Sequence, residues 1–234
     1  MKESVFRFKQ FSVEHSHSSM KVGVDAVLLG AWAGVKSEKI LDVGTGCGVI
    51  SLILAQRFSK AEIIGIDIDS PSVNEATFNF SNSPWNNRMS AMHLSFPEGL
   101  IENKFDLIVS NPPYFNSGIS SPTTQREKAR HQQSLSVFSL INKAPEFLTS
   151  NGRLSMIYPA DFRETVGIKA KENGLYLLRE CEIKGNENRP VKRVMSEFGL
   201  EEKGTPFLTS LTLYQKGEPT QEYKDLCKDL YLKF

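Results

Sequence analysis

The chain has 234 residues, 40% hydrophobic and 24% charged, with a formal net charge of +1; that length suits one large domain, and the near-neutral balance excludes capture of nucleic acid by the whole surface, so any basic face is local. No apolar stretch approaches the roughly 18–20 residues of a membrane span, and the charged, amphipathic start lacks the apolar segment of a signal peptide, which makes the cytoplasm the expected location. The three cysteines, Cys47, Cys181 and Cys227, are far apart and give neither a disulfide framework nor a thiolate metal site.

In chain order, residues 1–24 alternate apolar and polar side chains around Phe6, Phe8 and Phe11 and read as an irregular N-terminal arm. His15 and His17 stand beside Glu14, but no third ligand follows at zinc spacing and His93 and His131 are isolated, so no metal is expected. Residues 25–35 carry Ala26, Leu29, Trp32 and Ala33 at helical spacing, a short amphipathic helix with Asp25 as its cap. That helix would lie across the ligand end of the sheet.

An apolar run, residues 39–43, leads into Gly44-Thr-Gly-Cys-Gly48 and then a helical pattern over 49–57. This is strand, glycine loop, helix. A second strand, 61–66, ends at Asp67, about 20 residues past the loop, the spacing at which an acidic side chain meets ribose hydroxyls. The loop is not the G-x-G-x-x-G of dinucleotide folds, and Asp42 ahead of it would repel phosphates. An adenosine carrying an ammonium or sulfonium group and a small carboxylate fits better, and S-adenosylmethionine has all of these. The alternative is a glycine turn needed only for close packing of strand and helix.

Ser70-Pro71 opens a helix to about Phe80, with Ser70 as cap and proline at the first helical position. Strands follow at 88–94 and 105–109, so the first half is repeated βα units on a parallel sheet. Ligands of such sheets bind beyond the carboxyl ends of the strands, and Gly44, Asp67, Ser95 and Asn111 all fall there. Residues 106–114 read Asp-Leu-Ile-Val-Ser-Asn-Pro-Pro-Tyr, an apolar strand ending in a turn stiffened by Pro112 and Pro113. Asn111 and the Pro112 carbonyl can accept both hydrogens of a planar amino group, and Tyr114 offers a face for a base to lie against. The bland reading of the same residues is a proline turn with Tyr114 packed on the core.

Residues 115–134 lack periodicity, longer than most connections in compact domains, and place Arg126 and Arg130 four apart. They form either a phosphate-binding loop or a solvated charged segment. A helix over 135–149, a turn at Asn151-Gly152, a strand over 153–158 and a helix over 161–172 come next. Strands at 175–183, 191–198 and 207–213 and a helix over 222–232 complete the chain, with no linker dividing it. Residues 184–193 gather Lys184, Arg189, Lys192 and Arg193 between two strands, as a hairpin tip or a second phosphate contact.

With the G-x-G-x-G loop, Asp67 and Asn111-Pro-Pro-Tyr114 in register, the chain resembles the class I S-adenosylmethionine-dependent methyltransferases that modify amino groups. Phe8-Lys-Gln-Phe11, Met20-Lys-Val-Gly-Val-Asp25, Leu28-Leu-Gly-Ala-Trp32, Ser83-Pro-Trp85, Gln125-Arg-Glu-Lys-Ala-Arg130 and Asn186-Glu-Asn-Arg189 with Arg193-Val194 extend the likeness over nearly the whole chain. They look like the bacterial enzymes that methylate the amino nitrogen of adenosine 37 in a valine tRNA. The resemblance implies a single Rossmann-like α/β domain, doubly wound, mostly parallel, with an antiparallel strand near the C-terminus and residues 1–35 covering the cofactor end.

It further implies that Asp42, Gly44, Gly46 and Gly48 surround the methionine part of the cofactor, that Asp67 with Ile68 holds the ribose, and that Lys21 and Asp25 close the pocket. Ser95 and Phe96 stand at the adenine, Ser95 where the family usually has Asp, and a hydroxyl there accepts a weaker hydrogen bond. Val24 stands where Thr is expected. Arg126, Arg130, Arg189, Lys192 and Arg193 would hold the tRNA backbone. Other acceptors served by related turns are a glutamine amide in a release factor and a guanine amino group in ribosomal RNA; a non-catalytic RNA-binding module is the reading from another class.

Overall fold

The computed structural model describes residues 5–18, 21–34, 36–99, 104–113 and 137–234. Along the chain lie β1 (Val5–Arg7), β2 (Ser12–Glu14), α1 (Val24–Trp32), β3 (Lys39–Val43), α2 (Val49–Arg57), β4 (Glu62–Asp67), α3 (Ser70–Ser81), β5 (Met89–His93) and β6 (Phe105–Ser110). Then come α4 (Val137–Lys143), β7 (Leu148–Pro159), α5 (Arg163–Glu172), β8 (Tyr176–Asn186), β9 (Val191–Gly199), β10 (Phe207–Gln215), β11 (Glu218–Pro219) and α6 (Gln221–Cys227).

The main sheet has the order β11-β10-β8-β9-β7-β6-β3-β4-β5. β5, β4, β3, β6 and β7 run parallel, β9 lies antiparallel between β7 and β8, and β10 is parallel to β8. Because both faces are covered, the centres of strands such as β3 (Ile40-Leu41) and β6 (Leu107-Ile-Val109) are continuous apolar runs rather than alternating. Ile40, Leu107, Val109, Ile157 and Met195 face a layer that includes residues of α1, α2, α3 and α6. Their sequence neighbours Leu41, Ile108, Met156, Tyr158 and Val194 face α4 and α5. Two crossover directions from one sheet make the arrangement doubly wound, and they bring the carboxyl ends of β3, β4, β5 and β6 to one edge.

Several elements differ from their sequence reading. The N-terminal arm is not irregular: β1 and β2 pair antiparallel, Val5 opposite Glu14 and Arg7 opposite Ser12. The alternation of apolar and polar residues there is the two-residue period of a strand. Phe8 and Phe11 stack with ring centroids 4.5 Å apart, and Lys9 N–H donates to the Leu230 carbonyl, so the hairpin is seated on the C-terminal segment. The helix expected over 135–149 stops at Lys143, because Pro145 lacks the donor an α-helix needs. Asn151-Gly152 is no turn but part of the twelve-residue β7, at a register shift against β6. A Cβ on Gly152 would stand 2.7 Å from the Phe105 carbonyl oxygen, so only glycine passes there. At α3 the cap is Asp69 rather than Ser70; its Oδ2 accepts from Ser72 N–H at 3.1 Å. α1 starts after Gly23, which leaves Asp25 inside the first turn rather than capping it.

The end of α1 is tied to the sheet by a buried carboxylate. Glu197 of β9 accepts from Arg153 Nη1 at 2.5 Å, Arg179 Nε and Nη2 at 3.0 Å, Ser155 Oγ at 2.8 Å and Gly34 N–H at 2.8 Å. Burial alone would push this carboxyl up, but Arg179 above all, with Arg153 and Ser155, holds it at about 2. The Arg179 guanidinium also lies 3.9 Å over the Trp32 ring.

Candidate functional site

Gly44, Gly46 and Gly48 all have positive φ, at 75°, 56° and 84°. That left-handed backbone is the reason the loop between β3 and α2 requires glycine. A Cβ on Gly48 would stand 2.4 Å from Phe80 Cε1, whereas one on Gly46 would meet nothing within 4 Å. Gly48 therefore serves packing, and Gly46 leaves a cradle open. The N–H groups of Gly44 and Thr45 both donate to the Ile66 carbonyl, which fastens the loop to β4.

Asp42, fully buried at the end of β3, accepts from Thr45 Oγ1 at 2.8 Å and Ser51 Oγ at 2.7 Å through Oδ2. Its Oδ1 has no hydrogen-bond partner among the described residues. Burial pushes its carboxyl up to about 6, against the lowering by the Ser51 and Thr45 hydroxyls. Thr45 can stand there because Gly65 has no side chain; a Cβ at 65 would lie 2.7 Å from Thr45 Oγ1.

Asp67, half-buried at the end of β4, accepts from Gly46 N–H and Asp69 N–H, each at 2.9 Å. Burial raises its carboxyl and these backbone donors oppose the rise. Beside it Ile68 is 44% exposed. After β5, Ser95 and Phe96 are half-buried, with the Phe96 ring 5.4 Å from that of Phe147. At the end of β6 Asn111 and Pro113 are half-buried and Pro112 is buried. Ser110 Oγ, one residue earlier, donates to the Val43 carbonyl at 2.7 Å, joining the turn after β6 to the loop after β3.

The edge thus brings Asp42, the three loop glycines, Asp67, Ile68, Ser95, Phe96 and the start of the proline turn onto four strand ends. Lys21 is exposed ahead of α1. Asp25, named with the cofactor, and Arg193, named with the RNA, lie in contact: Arg193 Nε donates to Asp25 Oδ2 at 2.8 Å. Arg189 and Lys192 are exposed at the β8–β9 hairpin. Tyr114, Arg126 and Arg130 lie outside the described residues. No cluster of His, Cys, Asp or Glu among the described residues could hold a metal ion, and the three cysteines are buried.

Sequence reasoning missed Glu75 and Asn79 of α3. Both are buried, and Asn79 Nδ2 donates at 2.8 Å to the carbonyls of Glu14 and of Cys47 in the glycine loop. The available signal was two polar residues four apart on the helical stripe that also carries Ser72, Ala76 and Phe80.

Residues 15–169 match the methyltransferase small domain family. Over 234 residues the chain is 39% identical to a curated tRNA1(Val) (adenine(37)-N6)-methyltransferase of Vibrio vulnificus (strain YJ016), covering 100% of this chain and 98% of the relative. It is 37% identical to the enzyme of the same name from Bacteroides thetaiotaomicron, covering 99% of each. Among solved structures, a predicted O-methyltransferase from Agrobacterium tumefaciens aligns with TM-score 0.67 at 21% identity, over 88% of this chain and 96% of that one. A ribosomal protein L11 methylase from Lactobacillus delbrueckii subsp. bulgaricus aligns at 0.58 and 17%, over 81% and 84%. Those two likenesses speak for the class I methyltransferase fold alone. The full-length relatives speak for more, and the chain belongs to the methyltransferase small domain family and, within it, to the tRNA1(Val) (adenine(37)-N6)-methyltransferases.

Proposed function

We propose that this chain is an S-adenosylmethionine-dependent enzyme that methylates N6 of adenosine 37 in the anticodon loop of a valine tRNA. The observation that carries the reading is the adjacency of β3 and β6: the glycine loop leaves one and the Asn-Pro-Pro turn leaves the other, within a family whose relatives bear that name over their full length. The residues at the edge fit the cofactor. Gly46 leaves its cradle unfilled, the Asp42 and Asp67 carboxylates suit a ligand bearing positive charge and hydroxyls, and no phosphate-binding glycine pattern is present. Bound there, S-adenosylmethionine supplies an electrophilic methyl group on a sulfonium centre.

In this reading Asp67 accepts from ribose hydroxyls with the lone pairs that Gly46 and Asp69 leave free, and Ser95 serves the adenine with an uncharged acceptor. An aryl amine nitrogen is a poor nucleophile because its lone pair is drawn into the ring. Hydrogen bonds from the NH₂ to Asn111 Oδ1 and the Pro112 carbonyl orient that nitrogen and stabilise positive charge growing on it. Asn111 is no base, so the surplus proton leaves to water after transfer. An anticodon-loop base costs less to extrude than a paired one, and stacking on Tyr114 would return roughly 1–3 kcal/mol. Arg189 and Lys192, with Arg126 and Arg130, are the phosphate contacts of this reading; Arg193 is engaged with Asp25.

The test is mass spectrometry of tRNA nucleosides after incubation of the purified protein with S-adenosylmethionine and unmodified valine tRNA. N6-methyladenosine at position 37 is the expected product. Methyl transfer to ribosomal RNA or to a release-factor glutamine instead would overturn the assignment of substrate.

A further inference from the structure

Asn79 uses its whole side-chain amide. Oδ1 accepts from Glu14 N–H at 2.8 Å, while Nδ2 donates to the Glu14 and Cys47 carbonyls, each at 2.8 Å. The two bonds to Glu14 are what a neighbouring strand would supply, and the third ties the same amide to the glycine loop. One helical turn earlier Glu75 accepts from His17 N–H at 2.8 Å, Ser18 N–H at 2.9 Å and Ser16 Oγ at 3.4 Å. Burial would raise the Glu75 carboxyl, yet these donors hold it below the ordinary range.

Attachment of the arm does not require these bonds. Phe8, Phe11 and Val13 are already buried in the core, and Phe8 bridges to Tyr231. Apolar burial is non-directional, however, whereas six polar contacts fix where the backbone of residues 14–18 stands relative to Cys47. We infer that Glu75 and Asn79 are positioning residues that fasten residues 14–18 against the glycine loop, so that only the protein with this segment docked, beyond the attachment of the hairpin itself, binds cofactor tightly. This rests on reading that loop as the S-adenosylmethionine site. The dependence is then quantitative: the apparent dissociation constant equals the intrinsic one divided by the docked fraction.

The test uses the full chain and S-adenosylhomocysteine as calorimetric probe, with amide hydrogen exchange at Glu14, His17 and Ser18 measured without ligand. Asn79→Asp sets a carboxylate oxygen against two carbonyls and removes both donors. Glu75→Gln keeps the volume, removes the charge and turns an NH₂ toward backbone donors, and it decides the matter should Asn79→Asp not fold. The expected result is a loss of affinity of about tenfold, matched by the fall in docked fraction read from exchange. In turnover the loss falls on the cofactor KM rather than on kcat. Faster exchange at the arm with affinity within about twofold of the unaltered protein would overturn the inference, as would exchange unchanged in both variants. Failure of the unaltered protein to bind the probe would sink the cofactor reading itself, and this inference with it.

Discussion

Asp42→Asn separates the cost of a buried charge from its use. The carboxyl, ordinarily at 3.8, stands at about 6 in the folded protein. The folded state therefore holds the proton more tightly than the unfolded chain. Stability from this group is full below 3.8, declines as pH rises, and is lost once pH passes about 6, where both states are ionised. Worked through, ionisation of Asp42 lowers the unfolding free energy by about 1.6 kcal/mol near pH 5 and about 3 kcal/mol near pH 8. The amide of the Asp42→Asn variant keeps an acceptor for Thr45 and Ser51, but places a donor where Oδ1 now lacks a partner, at a cost of about 1–3 kcal/mol. The absolute difference between the two proteins is thus a small remainder of two similar quantities. Its pH dependence is cleaner, because only the carboxylate titrates. Urea unfolding without ligand, followed by the fluorescence of Trp32 and Trp85, should show the variant gaining about 1.4 kcal/mol on the parent between about pH 5 and pH 8. A difference that stays constant over that range would refute the reasoning, and would mean that water or an unseen partner serves Asp42.

Three further outcomes are expected. Asn111→Ala should lower methyl transfer by roughly 10²–10³-fold while S-adenosylhomocysteine still binds, and near-normal turnover would remove Asn111 from the mechanism. Glu197→Gln leaves Arg153 and Arg179 facing a neutral amide in a buried site, and should cost about 3–5 kcal/mol in urea unfolding at neutral pH; a loss below about 1 kcal/mol would show that the pair is effectively solvated. Gly48→Ala and Gly46→Ala should differ in kind. The first drives a methyl into Phe80 and should sharply lower the melting temperature. The second meets no neighbour, should cost only the roughly 1–2 kcal/mol of left-handed backbone, and should weaken S-adenosylhomocysteine binding; equal melting temperatures for the two would contradict the packing role of Gly48.

The strand ends were legible because each carries a local signature: the glycine cluster after β3, Asp67 after β4, the double proline after β6. Their meeting on one edge needed only the handed, parallel connectivity that the βα pattern implies. Other features depend on contacts far apart in sequence. Glu197 looks like an ordinary strand carboxylate until β7 and β8 bring Arg153 and Arg179 to it. Arg193 is indistinguishable from Arg189 in a basic stretch, and only the start of α1 sets it apart. The β1–β2 hairpin was within reach, since Phe6, Arg7, Phe8 and Lys9 alternate with a strand's period. Local turn propensity misled in the other direction at Asn151-Gly152, where a common turn dipeptide serves to let one strand pass close to a carbonyl.

The Ser110–Val43 hydrogen bond has a consequence for how the chemistry can be adjusted. The glycine loop and the Asn-Pro-Pro turn, to which the proposed function assigns the methyl donor and the base, leave neighbouring strands about 4.8 Å apart, and a hydroxyl joins those strands at their tips. On the proposed function, the gap is set when the protein folds, much as a gauge block is set when it is ground, and discrimination among substrates falls to whatever presents the nucleotide. A one-residue slip of either strand, about 3.3 Å, would break the Ser110–Val43 bond and turn each of its side chains to the opposite face.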